Sequence, residues 1–269
     1  SIIKIPNCNK QDVEISISAA VKAQNSFSNF TNKKKSEILN KISIKIKKEA
    51  NTLAKKESQE LGKNFVNAKK EMIACANLWK HAGQIIKNKK SKLIKKNNSK
   101  LYEIQEPIGV VALIIPWNFP MIVLSERLPY ILAAGNSVVI KPSENGSLSI
   151  NYFIQIIQNI GLPNGTINYL TGDFKTGKYL IENKNISMIS FTGSTKTGKE
   201  IYKKSSNTIK RLSLELGGKN PMAVFSDANL DKACEDVVYS FSHNAGQCCV
   251  SGSRLFVEKK ITFKFLEII

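Results

Sequence analysis

Residues 109–144 read GVVALIIPWNFPMIVLSERLPYILAAGNSVVIKPSE. Gly109–Ile115 is an apolar, β-branched run with the length of a buried strand, and it ends at Pro116. Met121–Ala134 then has helical texture until Gly135, and Ser137–Lys141 is a second short strand. The same alternation continues downstream. Ser147–Ile160 is a predicted helix closed by Gly161, Thr166–Leu170 a strand, and Thr176–Glu182 a helix. Met188–Thr192 is a strand, Thr195–Lys204 a helix, and Arg211–Glu215 a strand. Alternation of this kind predicts a parallel sheet with helices on both faces. Such sheets bind ligands at the carboxyl ends of their strands, so the residues at those ends matter most.

Upstream of this region the chain reads as helices. Asp12 caps a segment running to about Phe27. Thr31 caps the next, in which Ile38, Leu39, Ile42, Ile46, Ala50, Leu53, Ala54 and Leu61 fall at helical spacing until Gly62 closes it. A third helix covers Phe65–Ile85, with Met72, Cys75, Leu78, Trp79 and Ala82 on one stripe that reads as core. Downstream, Leu230–His243 is a further helix.

The formal net charge of +19 invites a nucleic-acid reading. Of the 40 basic residues, however, only Arg127, Arg211 and Arg254 are arginine, the side chain suited to bidentate phosphate and guanine contacts. The lysine-rich stretch Lys87–Lys100 is therefore expected to be a solvated loop, and no specific nucleic-acid partner is expected. The five cysteines (Cys8, Cys75, Cys234, Cys248, Cys249) form no CxxC pair, and the two histidines, His81 and His243, are far apart. No metal site is expected; reduced thiols in a cytoplasmic protein fit best. The start, Ser1-Ile2-Ile3-Lys4-Ile5-Pro6, lacks a signal-peptide layout, and no apolar run is long enough to span a membrane.

Four strand ends stand out. After the first comes Pro116-Trp117-Asn118-Phe119-Pro120, where two prolines stiffen a turn around Asn118, either a preorganised amide donor or an ordinary turn asparagine. After the second comes Lys141-Pro142-Ser143-Glu144, either a grip on ribose hydroxyls or a surface ion pair. A carboxylate on the ribose 2′-hydroxyl also disfavours a 2′-phosphate. Later comes Phe191-Thr192-Gly193-Ser194-Thr195, where Gly193 turns the chain into a helix whose free N–H groups suit phosphate and Ser194 adds a hydroxyl. It is neither GxGxxG nor a P-loop. The last pair is Leu214-Glu215-Leu216-Gly217-Gly218-Lys219 and Gly246-Gln247-Cys248-Cys249-Val250-Ser251-Gly252. Glu215, partly shielded, can serve as a base, or simply cap a helix or pair with a cation. Cys249 sits among small residues with room for a substrate carbon; alternatively both thiols are small buried hydrophobes. A nucleotide grip, an amide donor, a carboxylate and a thiol in one α/β chain suit thiol addition to a carbonyl followed by hydride loss to a nicotinamide.

PWNFP (116–120), KPSE (141–144), FTGST (191–195), LELGGK (214–219) and NAGQCCVSGSR (244–254), with Glu215 and Cys249 34 residues apart, resemble the aldehyde dehydrogenase superfamily in order and spacing. The stretches VLSERLPY (123–130), LELGGKNP (214–221) and NAGQCCVSGSR (244–254) look most similar to the betaine-aldehyde-like branch. The resemblance covers nearly the whole chain and implies an α/β fold, a Rossmann-like parallel sheet with flanking helices. It implies an NAD-binding domain over 1–216, with a bridging segment at 95–107, and the start of an incomplete catalytic domain over 217–269. It implies oxidation of a small aldehyde to a carboxylic acid with NAD⁺ as cofactor. Cys249 would attack the aldehyde, Asn118 and the Cys249 N–H would hold the oxyanion, and Glu215 would activate the hydrolytic water. Lys141 and Glu144 would hold the adenosine ribose, Gly193 and Ser194 the pyrophosphate, and Trp117, Gly172 and Leu216 would line the cofactor cleft.

Family members are usually close to twice this length. The resemblance therefore also implies that much of the substrate tunnel, the Glu-x-Phe motif for the nicotinamide ribose and the oligomerisation strand lie beyond residue 269. Full-length relatives are expected to be homo-oligomers. The bridging strand near Lys100–Gln105 would then lack its partner and expose an apolar surface. The alternative is a truncated or split dehydrogenase that binds NAD without turnover on its own. The sequence does not name the aldehyde.

Overall fold

The computed structural model describes residues 4–90, 92–96 and 99–269. The reading of the extreme N-terminus and part of the Lys87–Lys100 reading fall on residues outside that set. The chain divides into two compact units, Ser1–Thr192 with Lys196–Leu214, and Gly193–Thr195 with Glu215–Ile269.

Four helices open the first unit: α1 (Lys10–Phe27), α2 (Asn32–Lys48), α3 (Ala50–Leu61) and α4 (Phe65–Asn88). The cap of α1 is Asn9, not Asp12. Asn9 Oδ1 accepts the Gln11 and Asp12 amides at 2.8 and 3.1 Å, while Asp12 Oδ2 accepts the Asn9 amide at 2.8 Å. Asp12 is thus the reciprocal half of a capping box. Thr31 does cap α2. The long helix expected up to Gly62 breaks at Glu49, whose φ of −94° and ψ of 12° end α2 and start α3. Gly62 closes α3 at φ +71°, a conformation that favours glycine.

The expected solvated loop at Lys87–Lys100 is overturned by an antiparallel hairpin, β1 (Lys92–Lys96) and β2 (Ser99–Glu103), in which Leu93 pairs with Tyr102 and Ile94 with Leu101. The β-branched and aromatic residues between the lysines carry the strand pairing there.

The alternating region follows as β3 (Val110–Ile115), α5 (Pro120–Ala133), β4 (Ser137–Pro142), α6 (Leu148–Ile156), β5 (Ile167–Tyr169), α7 (Phe174–Glu182), β6 (Met188–Gly193), α8 (Thr195–Ser205) and β7 (Arg211–Leu216). Helix α6 is shorter than expected, because Asn159 takes a left-handed φ of 60° just beyond it. The sheet order is β5-β4-β3-β6-β7, with β3 parallel to β4 and β6, and β4 parallel to β5. The order reverses direction between β3 and β6, which makes their carboxyl ends the switch point at which open α/β sheets bind ligands.

Both faces of the sheet are covered. Val110, Ala112 and Val139 pack with Val13 and Ile17 of α1 and Leu180 of α7. Leu113, Ile115, Val138 and Ile140 face the opposite way, toward Trp79, Leu124 and Phe153. Period-two alternation on strands buried on both sides produces this division. The Trp79 ring lies 5.6 Å from that of Phe153, and its indole N–H donates to Ser125 Oγ at 3.2 Å.

The second unit adds β8 (Pro221–Val224), α9 (Leu230–Ser242), β9 (Arg254–Val257) and α10 (Thr262–Ile268). Strands β8 and β9 pair in parallel, and Val224, Val237 and Phe265 form a small core. A Cβ on Gly252 would overlap the Met222 side chain and approach Ser240 Oγ to 2.9 Å. Gly252→Ala is expected to destabilise this unit by about 1–3 kcal/mol, read by chemical denaturation.

One buried charge cluster joins α3 to α4. Lys63 Nζ lies 2.6 Å from Glu57 Oε1 and 2.7 Å from Glu71 Oε2, with the Lys63 side chain 2 % exposed and that of Glu57 0 %. Burial pushes the Glu57 carboxyl up to about 7 against the pull of Lys63, and Glu71, sharing the same ammonium, adds to the rise. Folded Glu57 therefore keeps its proton to about pH 7, whereas the unfolded chain releases it near 4.5. The folded state binds more protons in that window, so stability falls as pH rises through it. Denaturant titrations are expected to lose midpoint between about pH 5 and pH 8 in the native chain, and to flatten in Glu57→Gln.

Candidate active site

In the first unit, β3, β4 and β6 end nearly level, since Ile114 is paired with both Lys141 and Phe191. The turn Pro116–Phe119 leaves the end of β3, and Pro120 occupies the first turn of α5, where its missing N–H costs nothing. Trp117 is 40 % exposed, and Asn118 is half-buried. Gly146 lies against this turn: a Cβ there would stand 2.7 Å from Trp117 Cα. That glycine escaped the sequence reading, because only the folded chain brings residue 146 to residue 117.

Lys141 is buried at the end of β4. Its ammonium donates to the Pro142 carbonyl at 3.1 Å and lies 4.0 Å from Glu144 Oε2, whose side chain is about half exposed. Burial lowers the Lys141 pKa, while Glu144, Asp173 and Cys8 oppose the shift. Gly172, after β5, has φ +141°, and a Cβ there would overlap Thr176 Oγ1 and approach Asn7 Oδ1 to 2.7 Å. The segment Pro6–Cys8 is fastened alongside: Thr171 Oγ1 donates to the Pro6 carbonyl and Thr176 Oγ1 to the Cys8 carbonyl, each at 2.7 Å. The first unit thus gathers Trp117, Asn118, Lys141, Glu144 and Gly172 on loops at the carboxyl ends of three parallel strands.

The second unit holds Gly193, Ser194, Glu215, Leu216 and Cys249. The Gly217 amide donates to the Gly193 carbonyl at 3.3 Å, and Thr195 Oγ1 donates to the Gly217 carbonyl at 3.2 Å. These bonds stitch the helix-entry turn to the residues after Leu216. Glu215 is exposed, where partial shielding was expected. Two residues on, Gly217 has no atom within 4 Å of where a Cβ would stand.

Cys249 is exposed and Cys248 half-buried. The segment before them is wound through three successive left-handed residues, Asn244 (φ 53°), Ala245 (φ 57°) and Gly246 (φ 75°). Backbone of this kind persists only where its surroundings hold it. Here Asn220 Nδ2 donates to the Cys249 carbonyl at 2.8 Å, Ser251 Oγ donates to the Ser240 carbonyl at 3.0 Å, and the Gly252 amide donates to Ser240 Oγ at 2.9 Å. Asn220 was not singled out from the sequence; its place beside Gly217–Gly218 was the available signal. Chemically, an exposed thiol on an anchored loop suits attack on an electrophilic carbon, and a buried lysine with a nearby carboxylate suits a pair of vicinal hydroxyls. Among the described residues, no group of histidine, cysteine, aspartate and glutamate is placed to hold a metal, and no helix is long and apolar enough to cross a membrane.

Residues 1–269 match the aldehyde dehydrogenase family model. The chain is 38 % identical to the NAD(P)+ aldehyde dehydrogenase 2 of Saccharomyces cerevisiae, over 96 % of this chain and 52 % of that protein. It is 37 % identical to the betaine aldehyde dehydrogenase of Bacillus subtilis, over 96 % of this chain and 54 % of that protein. Among solved structures, betaine aldehyde dehydrogenase from Staphylococcus aureus in complex with NAD+ superposes with a TM-score of 0.96 at 31 % identity, covering 98 % of this chain and 54 % of that one. The NAD-dependent aldehyde dehydrogenase of Sinorhizobium meliloti gives 0.94 at 36 % identity, with 98 % and 53 % covered. The chain spans about half the length of the curated relatives it matches. A doubly covered parallel sheet with loaded strand ends, a thiol on an anchored loop and a match over every residue lead to one assignment: the chain belongs to the aldehyde dehydrogenase family.

Proposed function

We propose that this chain supplies the cofactor grip and the reactive thiol for NAD⁺-dependent oxidation of a small aldehyde to a carboxylic acid. The observation that carries the reading is the exposed Cys249, whose carbonyl is anchored by Asn220, in a chain that the family model matches throughout. The Cys249 thiolate adds to the aldehyde carbon: a C–S bond forms and the carbonyl electron pair moves to oxygen. The Asn118 amide and the Cys249 N–H stabilise that oxyanion as fixed donors. Bound NAD⁺ would supply the acceptor for the hydride lost from the former aldehyde carbon. Glu215 takes a proton from water, which attacks the resulting thioester; the C–S bond breaks and the thiolate returns.

Lys141 and Glu144 fit the hydroxyls of a ribose, and the carboxylate of Glu144 disfavours a 2′-phosphate, which selects NAD⁺ over NADP⁺. Gly193, Ser194 and the start of α8 fit a pyrophosphate, and Trp117, Gly172 and Leu216 are read as further cofactor-binding residues. Residues 1–216 are read as the NAD-binding domain, with 95–107 as the segment by which full-length relatives would bridge and oligomerise, and 217–269 as the start of the catalytic domain. A cytoplasmic setting suits five free cysteines, one of which must stay a thiol to react. The substrate class is a small aldehyde, with betaine aldehyde the first to try.

A second reading is NAD binding by this chain without turnover on its own. NADH formation with a panel of aldehydes separates the two. Turnover that falls at least about 10³-fold in Cys249→Ala and survives in Cys248→Ala supports catalysis by this chain. NAD⁺ binding with no NADH from any aldehyde supports the second reading, and a further chain that restores turnover identifies a split enzyme. Glu144→Gln is expected to weaken NAD⁺ binding about 10- to 100-fold in calorimetric titration and to narrow the preference against NADP⁺.

A further inference from the structure

We infer that Lys63 is a positioning residue for the Asn118 turn, acting through the ring of Phe119. The inference rests on the role proposed above for Asn118. Lys63 sits between two helix caps, after Gly62 at the end of α3 and before Asn64 at the start of α4. Its ammonium has three neighbours that fix its place: Glu57 Oε1 at 2.6 Å, Glu71 Oε2 at 2.7 Å, and the Phe119 ring, whose centroid is 4.3 Å away. With the lysine side chain almost wholly buried, the contact with the ring is desolvated, the condition under which a cation over an aromatic face is strongest.

Phe119 is the residue from which α5 departs, at φ −140° and ψ 58°, with no side-chain cap there. It directly follows Asn118, so a displaced ring displaces the asparagine. The opposite flank of the same turn is closed by Gly146 against Trp117. Helix α3 adds a second support: Glu60 Oε1 accepts the Leu148 amide at 2.6 Å, holding the start of α6 just beyond the Lys141–Glu144 loop. One helix end therefore braces two of the strand-end loops. Glu57 and Glu71 hold the Lys63 ammonium in place against the ring.

Trp117 reports on the turn directly. The only other tryptophan, Trp79, is fully buried, so acrylamide quenching follows Trp117. The test uses the whole chain and its Phe119→Leu, Lys63→Met and Lys63→Arg variants, with folding checked by circular dichroism. Phe119→Leu removes the ring but leaves the ion cluster intact, so it decides the matter if Lys63→Met does not fold. Folded Phe119→Leu and Lys63→Met are expected to show steeper Trp117 quenching than the native chain, with Lys63→Arg restored toward it. Where the native chain turns over, kcat is expected to drop by about 10²-fold with the aldehyde KM little changed, because a displaced donor costs stabilisation in the transition state. A native chain without turnover counts against the catalytic reading alone, and the quenching result still decides the positioning. Unchanged quenching in the folded Phe119→Leu chain overturns the inference.

Discussion

A strand paired on both edges and covered on both faces has no freedom left in register, and β3 is such a strand. Its hydrogen bonds to β4 and β6 put Ile114 opposite both Lys141 and Phe191. Sliding β3 by one residue would turn Leu113 and Ile115 away from the core they fill and bring Ala112 into their place. The levelling of the strand ends follows from that constraint. So does the crowding of chemistry there, because each chain segment must leave the sheet at the same edge. The loops differ in how they are secured: prolines and an aromatic ring after β3, a buried lysine after β4, and the fastened Pro6–Cys8 segment after β5.

The second unit achieves order by other means. Its core is small, and the loop before Cys248–Cys249 runs through Asn244, Ala245 and Gly246 in left-handed conformation. At Ala245 this costs about 1–2 kcal/mol. The offset comes from polar contacts: Asn220 to the Cys249 carbonyl, Arg254 Nε to the Lys219 carbonyl at 2.7 Å, and the Ser240–Gly252 bond. These hold the loop from both sides of the sequence. A thiol proposed to meet a carbon atom at a set angle would benefit from a loop with little room to relax.

The parts of this architecture written in local sequence were legible. Short apolar, β-branched runs marked β3, β4 and β6, and Thr31 and Gly62 marked helix ends, because each signal acts over a few residues. Asp12 misled because either it or Asn9 could serve as the N-cap, and the capping box uses both. Glu49 broke a helix whose hydrophobic spacing runs on without interruption. Lysines hid the β1–β2 hairpin, since charge on an exposed strand looks like a loop. The four-residue strands β8 and β9 are too short for a periodic signal. In the candidate site, the side chains with distinctive chemistry were visible as motifs, whereas Gly146, Asn220 and Lys63 act through contacts across the fold. Glu215 illustrates the limit from the other side: its residue type was readable, its exposure was not.

The proposed chemistry stands or falls on a covalent bond at one sulfur. The native chain and Glu215→Gln would each be mixed with NAD⁺ and an aldehyde, quenched in acid and mapped by peptide mass. The account predicts an acyl adduct on Cys249 that needs NAD⁺ and accumulates in Glu215→Gln, where the water that cleaves it has lost its base. An adduct on Cys248 or another thiol, or none on Cys249 in a folded chain that binds NAD⁺, would contradict it.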